Sequence, residues 1–278
     1  MHHILITGSS GFIGQNLVNY WVNNPSYIIH LYDVKTHSYY DLVDTFQNHE
    51  IETVIHLGAI SNTNASMEEV QMYNIAMTEC LFSLCIKYRV KRVLYASSAA
   101  VYGNPETSRP FEETDPIPYT KLAPYAISKA MNEVDAQRLI DSGITAIGMR
   151  FFNVYSEKGE TESHKDQPSP HYSFRKQAMK EGKITLFVAK NSKEEARRDF
   201  ISIDRVLYYI DRLMRYKSGV YNVGSGMTKT FREIAEETAI EYNCYVEPLE
   251  KKFPITYQRY TRANTNKLRN TFMRNTNV

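Results

Sequence analysis

Gly8-Ser9-Ser10-Gly11-Phe12-Ile13-Gly14 stands between an apolar run, Ile4-Leu5-Ile6, and a stretch in which Ile13, Leu17 and Trp21 recur every four residues up to Pro25. Three glycines in that place constrain the chain more than any other feature. The first permits a tight turn out of a strand, the second lets main chain approach a pyrophosphate, and the third lets a helix lie close against the sheet. Gly8, Ser10, Gly11, Phe12, Ile13 and Gly14 would then surround the start of the helix, where N–H groups and the helix dipole favour an anion. Asp33 comes 19 positions after Gly14 and closes the next apolar run, Ile28 to Tyr32. It is placed to accept a hydrogen bond from a ribose 2′-hydroxyl. Strand, turn, helix and acid together point to a dinucleotide site rather than a ligand-free glycine turn.

Apolar runs and helical periodicities continue to alternate. Val54 to Leu57 reads as a strand. Ile75, Leu81, Leu84, Cys85 and Tyr88 mark a helix over 74–88, Val93 to Ala96 a strand, 125–141 a helix, and Ala146 to Phe151 a strand. This alternation predicts an α/β fold, a Rossmann-type doubly wound parallel sheet with right-handed crossovers. Residues 1–155 form the dinucleotide-binding domain, with returning segments near 198–226, and 156–278 form a smaller, mainly substrate-binding C-terminal domain. In the latter, 156–171 is a polar loop or lid with Pro168 and Pro170. Ile184 to Val188 and Val220 to Val223 are strands, and Phe231, Ile234, Ala235, Thr238 and Tyr242 mark a helix. Only 20 residues separate Asp33 from Val54. That spacing predicts a missing crossover helix after the second strand, with room for a short strand near Tyr39 to Leu42 and one helix. The ten residues after Leu268 are too few for a full closing helix.

Lys and Arg total 33 against 31 for Asp and Glu, a net charge of +2. So balanced a chain is not expected to bind nucleic acid through a broad basic face. No run of about 18 apolar residues predicts a membrane span, and nothing at the N-terminus reads as a signal peptide. Cys80, Cys85 and Cys244 are too few for a disulfide framework and fit a reducing, cytoplasmic compartment.

Tyr125 and Lys129 lie four apart on a helical stretch and share one face. A tyrosine ionises near pH 10 and needs a nearby cation to act as a base at neutral pH; Lys129 can supply it and also hold a nicotinamide ribose. Ser98, at the end of the strand through Ser97, can hydrogen-bond a substrate hydroxyl. On spacing alone, a packing tyrosine and a solvated lysine is the plainer reading. Five motifs in order reverse that judgement: Thr7 to Gly14 (TGSSGFIG), His56 to Ala59 (HLGA), Tyr95 to Gly103 (YASSAAVYG), Tyr125 to Lys129 (YAISK) and Arg150 to Tyr155 (RFFNVY). Together they resemble the extended short-chain dehydrogenase/reductase family over nearly the whole chain. The resemblance implies a catalytic Ser98, Tyr125 and Lys129, cofactor contacts at Leu57, Gly58 and Ala59, and Asn153 as a substrate or cofactor contact. It makes Asp41 and Leu42 candidates for the adenine end and Asn74 either a cofactor contact or a helix cap. It also implies a homodimer through helices 74–88 and 125–141. Asp33 favours NAD, whereas Lys35 can meet a 2′-phosphate; the expected cofactor is NADP, with NAD as the alternative.

Ala99 and Ala100 stand where dehydratases of that family carry an acidic pair, so a dehydratase is not expected. His164-Lys165, Arg198-Asp199-Phe200-Ile201 and Tyr257-Gln258 resemble the ADP-L-glycero-D-manno-heptose 6-epimerase family. That likeness implies Lys165 as a second acid/base and Arg198 and Tyr257 as contacts to a nucleotide-diphosphate sugar; Gln167, in a stretch that departs from that family's run of small residues after the His-Lys pair, is a further candidate contact. A guanidinium suits a diphosphate because it binds phosphate oxygens in pairs. Phe174 stands where that family has a histidine, with His171 nearby. The expected activity is epimerisation by transient oxidation to a keto-sugar and reduction on its other face. A UDP-hexose 4-epimerase, a keto-sugar reductase and a non-catalytic dinucleotide sensor are the alternatives.

Overall fold

The computed structural model describes residues 1–62, 65–105, 107–157, 168–189, 195–253 and 257–273. Its strands are β1 (His2–Thr7), β2 (Tyr27–Tyr32), β3 (Thr53–His56), β4 (Arg92–Ser98), β5 (Thr145–Phe151), β6 (Asn153–Tyr155), β7 (Lys183–Ala189), β8 (Arg197–Arg198), β9 (Phe200–Ser202), β10 (Gly219–Val223), β11 (Lys229–Thr230) and β12 (Tyr245–Lys251). The helices are α1 (Phe12–Trp21), α2 (Tyr39–Asn48), α3 (Met67–Val70), α4 (Met77–Lys87), α5 (Pro124–Asp135), α6 (Gln137–Asp141), α7 (Pro170–Glu181), α8 (Ile203–Leu213), α9 (Phe231–Glu241) and α10 (Asn266–Met273). A π-helical stretch, Gln71–Ala76, joins α3 to α4.

Six strands make the main sheet in the order β2-β1-β3-β4-β5-β10, every pair parallel. Its central strands read as continuous apolar runs because helices cover both faces. On one side Ile4, Ile6, Ile55, Leu94 and Ile147 pack with Leu17 of α1 and Val206, Ile210 and Leu213 of α8. On the other, Leu5, Val54 and Val93 pack with Leu42 and Phe46 of α2, Leu81 and Cys85 of α4, and Leu139 of α6. The order of strand addition reverses between β1 and β3, and in such sheets ligands lie beyond the carboxyl ends of the strands at the switch.

Tyr39 to Leu42 is not a strand. It is the first turn of α2, because Ser38 caps it and Asp41 closes a reciprocal capping box with Ser38. The short Asp33–Val54 interval therefore keeps its helix and drops a strand, which leaves β2 at the edge of the sheet. Helix 125–141 is divided at Ala136 into α5 and α6. After Thr265, Asn266–Met273 forms α10, and Leu268 is fully buried in the main core.

Outside the main sheet, β7 and β12 pair in parallel under α7 and α9, around Phe174, Ile184, Leu186 and Ile234. Two small pairings, β6 with β9 and β8 with β11, attach this layer to the carboxyl end of the main sheet. No helix among the described residues is long and apolar enough to cross a membrane.

Candidate active site

The turn after β1 is built so that only glycine fits. Gly8 has φ +69°, and a Cβ there would lie 2.4 Å from the Gly58 nitrogen; a Cβ on Gly14 would lie 2.2 Å from the Gly8 carbonyl oxygen. The loop after β3 is thus pressed against the loop after β1, with the Leu57 N–H donating to the Thr7 carbonyl at 3.1 Å. Helix α1 opens after Gly11 with no side-chain cap and no acidic residue in its first turn. That leaves an anion site at its N-terminus. Asp33 is buried beside this turn. Its carboxylate accepts from the Ser10 hydroxyl, the Ser10 N–H at 3.2 Å and the Lys35 N–H at 3.0 Å. Burial works against its charge, but these bonds and the Lys35 cation outweigh it and hold the carboxyl below its usual range. Phe12 and Ile13 form the first turn of α1 beside it.

The two candidates for the adenine end also have structural duties. Leu42 is fully buried in the core and has no exposed side-chain surface to offer a ligand. The Asp41 carboxylate accepts from the Ser38 N–H at 2.7 Å and the Ser38 hydroxyl at 2.8 Å. Asn74 is neither a cap nor at a helix start; Ser66 caps that helix. Buried in the π-helical turn, the Asn74 amide accepts from the Ile60 N–H at 2.8 Å and donates to the Ile60 carbonyl at 3.0 Å and the Ser128 hydroxyl at 3.1 Å. It fastens the segment that follows Gly58 and Ala59 to the helix that carries Tyr125 and Lys129.

A polar chain that sequence reading did not assign runs beneath these loops. The Thr7 hydroxyl meets His56 Nδ1 at 2.6 Å, and His56 Nε2 meets the Thr78 hydroxyl at 2.9 Å. Thr78 donates to the Asn74 carbonyl at 2.6 Å and accepts from the Asn132 amide at 3.1 Å. Burial first, then repulsion from Lys129, pushes His56 down to about 3. Burial likewise pushes His171 down to about 4, helped by Arg175 and Lys229. Both are neutral in the fold and gain protons on unfolding below their ordinary value of 6.5. The unfolded chain binds more protons in that window, so stability is expected to fall as pH drops from 6.5 toward 4. Urea unfolding at pH 7 and pH 5 checks this, and equal midpoints would contradict it.

Ser98 ends β4, and its hydroxyl accepts from the Ala100 N–H at 3.1 Å. Tyr125 lies in the first turn of α5, which starts on Pro124 and leaves the tyrosine pointing back toward β4. Burial pushes the Tyr125 hydroxyl up, and its hydrogen bond to Ser98 pulls it back. Lys129, one turn on, is 2% exposed. Its ammonium lies 5.8 Å from the Tyr125 ring centre, and burial lowers it to about 8. The expected trio does converge. The expected sign of the tyrosine shift does not appear in the protein alone, because its own burial exceeds the help it receives.

On the far side of the turn after Ser98, two adjacent arginines have opposite fates. Arg197 is exposed and faces Glu233. Arg198 is 5% exposed, and no carboxylate among the described residues pairs with it. Its guanidinium lies 5.0 Å from the Tyr257 ring and 6.0 Å from Phe231, and burial lowers it to about 10. An unpaired buried cation is costly, so this one is poised for an anion. The neighbouring Asp199 does not serve it: that carboxylate takes the Ser225 and Gly226 N–H groups at 2.7 and 2.9 Å and the Ala263 N–H at 2.9 Å. Gln258 donates to the Gly103 carbonyl at 2.6 Å, which sets Tyr257 beside the turn that follows Ser98. Asn153 begins β6, and its side chain takes no partner among the described residues. His171 stacks on Tyr155 at 4.0 Å, its Nδ1 buried without a hydrogen-bond partner among the described residues, while Phe174 is core. Lys165 and Gln167 lie outside the described residues.

These features can be set beside known proteins. Residues 4–224 match the family described as NAD dependent epimerase/dehydratase. The ADP-L-glycero-D-manno-heptose-6-epimerase of Brachyspira hyodysenteriae is 30% identical, over 96% of this chain and 90% of its own length. That of Alkalilimnicola ehrlichii is 30% identical over the same shares. Among solved structures, Thermus thermophilus UDP-glucose 4-epimerase in complex with NAD superposes with a TM-score of 0.82 at 22% identity, covering 96% of this chain and 92% of that one. The Helicobacter pylori ADP-L-glycero-D-manno-heptose-6-epimerase gives 0.75 at 24% identity, covering 96% and 88%. With the glycine turn, the Tyr125–Lys129 pair and the sheet order on the same chain, the conclusion follows that this protein belongs to the NAD-dependent epimerase/dehydratase family.

Proposed function

We propose that the protein is an NAD-dependent nucleotide-sugar epimerase whose substrate is ADP-D-glycero-D-manno-heptose. The observation that carries this reading is Arg198: a buried guanidinium without a carboxylate partner among the described residues, beside the Tyr257 ring and tethered through Gln258 to the turn after Ser98. It suits the diphosphate of a sugar nucleotide, and it stands beside the residues that would act on the sugar. The curated relatives named above support heptose as that sugar.

Tyr125 takes the proton of the hydroxyl being oxidised, Ser98 donates to the oxygen as it becomes a carbonyl, and Lys129 steadies the tyrosinate. Nicotinamide would accept the hydride, carry a positive charge while oxidised, and give the same hydride back to the other face of the carbonyl carbon after the keto-sugar turns over. Lys165 gives its proton to the carbonyl oxygen as that hydride returns. Lys165→Ala is expected to slow turnover without weakening dinucleotide binding.

The ionised, buried Asp33 reverses the cofactor order expected from sequence. A carboxylate where a 2′-phosphate would sit repels it, so NAD is proposed as the cofactor. Titration by fluorescence should show NAD bound at least about tenfold more tightly than NADP; the opposite order would return the role to Lys35. Asn153 and Tyr257 are proposed substrate contacts. A homodimer is proposed through α4 and α5, where Met131 and Val134 of α5, and Met72 and Tyr73 of the π-helical stretch before α4, are exposed. Three free thiols suit a cytoplasmic setting.

The deciding experiment is incubation with ADP-heptose, UDP-glucose and UDP-galactose, with sugar protons followed by NMR. Conversion of ADP-heptose alone supports the reading. Conversion of a UDP-hexose alone assigns a 4-epimerase, and no conversion of any sets the epimerase aside. Arg198→Ala is expected to raise KM about 10- to 100-fold while leaving NAD binding unchanged, since it removes one charge-assisted contact to phosphate. An unchanged KM would remove Arg198 from the substrate site.

A further inference from the structure

His3, His30 and His49 come from three separate elements, β1, β2 and the end of α2, and meet on one face of the sheet. Leu5 points to the α2 side with Leu42 and Phe46. His3 lies two residues before it, and His30 is its partner in register, so both imidazoles share that face. His49 ends α2, its N–H bonded back to the Thr45 carbonyl, and reaches down to them. His3 Nδ1 stands 3.1 Å from His30 Nε2. The His30 and His49 ring centres are 4.3 Å apart, and those of His3 and His49 6.1 Å. One ring nitrogen from each lies within 4.8 Å of the other two.

We propose that His3, His30 and His49 form a three-imidazole site for a divalent cation of the zinc type, remote from the catalytic residues and joining the outer edge of the sheet to α2. Imidazole nitrogens on tetrahedral zinc stand about 3.4 Å apart, from Zn–N distances of about 2.0–2.1 Å. The His3–His30 pair stands slightly closer, at 3.1 Å, as a hydrogen bond between the rings, and a cation would replace that bond once a small ring rotation turns both lone pairs toward it. His49 is exposed, so its ring can close the rest by rotating about its side-chain bonds. Imidazole ligands must be neutral. His30 is held so by burial and by the other two rings. With three nitrogens in place, water or a fourth side chain completes the shell. The position has a structural rationale. Among the described residues β2 is the outermost strand and pairs only with β1, so a cation bridging β1, β2 and α2 would fix that edge.

The test uses the full chain, freed of metal with a chelator and titrated with Co²⁺ as a spectroscopic probe, then with Zn²⁺. One equivalent of Co²⁺ should develop visible d–d bands, Zn²⁺ should abolish them, and Zn²⁺ should raise the melting temperature. His49→Ala, at an exposed helix end, should weaken Co²⁺ binding by at least about tenfold while keeping the fold. His30→Ala should do the same, and His37→Ala should not. Absence of a one-equivalent band, or equal Co²⁺ affinity in wild type and His49→Ala, would overturn the proposal. The readout needs no sugar nucleotide, so it stands or falls apart from the epimerase assay.

Discussion

Tyr125→Phe is expected to lower turnover by about 10²- to 10⁴-fold, the range for losing a positioned general acid–base group. The ring, its packing in α5 and the neighbouring Lys129 all stay, so NAD affinity and the unfolding midpoint should move little. The proton argument sharpens the outcome. Burial holds the Tyr125 hydroxyl up and Lys129 down to about 8, so the phenolate forms only when enough positive charge gathers beside it. Turnover of the wild type should therefore rise with pH while Lys129 keeps its proton and flatten or fall once that proton leaves. Tyr125→Phe should show no such rising limb. A variant that keeps more than a tenth of wild-type turnover would move the base elsewhere.

Glu133→Ala is expected to cost about 3–5 kcal/mol, the penalty for stranding one partner of a buried ion pair. Glu133 and Arg150 meet at 2.7 Å with side-chain exposures of 7% and 4%. The carboxylate also takes the Ser97 hydroxyl, and the guanidinium lies 4.8 Å from the Tyr102 ring centre. Removing Glu133 leaves a buried guanidinium between α5 and β5, one turn from Lys129. Replacing both, as Glu133→Leu with Arg150→Met, removes the stranded charge and should recover most of the loss. Urea unfolding of the single and double variants checks this; a single variant within 1 kcal/mol of wild type would contradict it.

These residues show what a sequence exposes. Gly8, Gly14 and Asp33 were legible because strand, turn, helix and acid each leave a local mark, and the strands of the main sheet were legible as apolar runs. Arg197 and Arg198 are the same letter twice. Which one is buried depends on the two-residue pairing of β8 with β11, a long-range event, and alternation then sends the two side chains opposite ways. The Tyr39 to Leu42 segment was read as a strand because its aromatic residues suit one, while the Ser38–Asp41 capping box that decides for a helix was there to be seen. Helix α8 is legible too, since Val206, Leu207, Ile210 and Leu213 lie at the spacing of one helical face. His56 stood in a quoted motif without a role, since a bond to Thr7 and another to Thr78 join positions 49 and 22 residues apart. The sign of the Tyr125 shift was beyond reach for another reason: it balances burial against neighbours, and neither is written in spacing.

The strand lost between Asp33 and Val54 has a consequence for the chain in a crowd. It leaves Tyr27-Ile28-Ile29-His30-Leu31-Tyr32 as an outermost strand with no charged residue and no proline, and Leu31 is 45% exposed. Such an edge offers its open hydrogen-bonding groups to any other extended chain. Intermolecular pairing along β2 then competes with native packing during refolding. Recovery of native protein should decline with concentration, so the economy that shortened the sheet is met again as a liability to self-association.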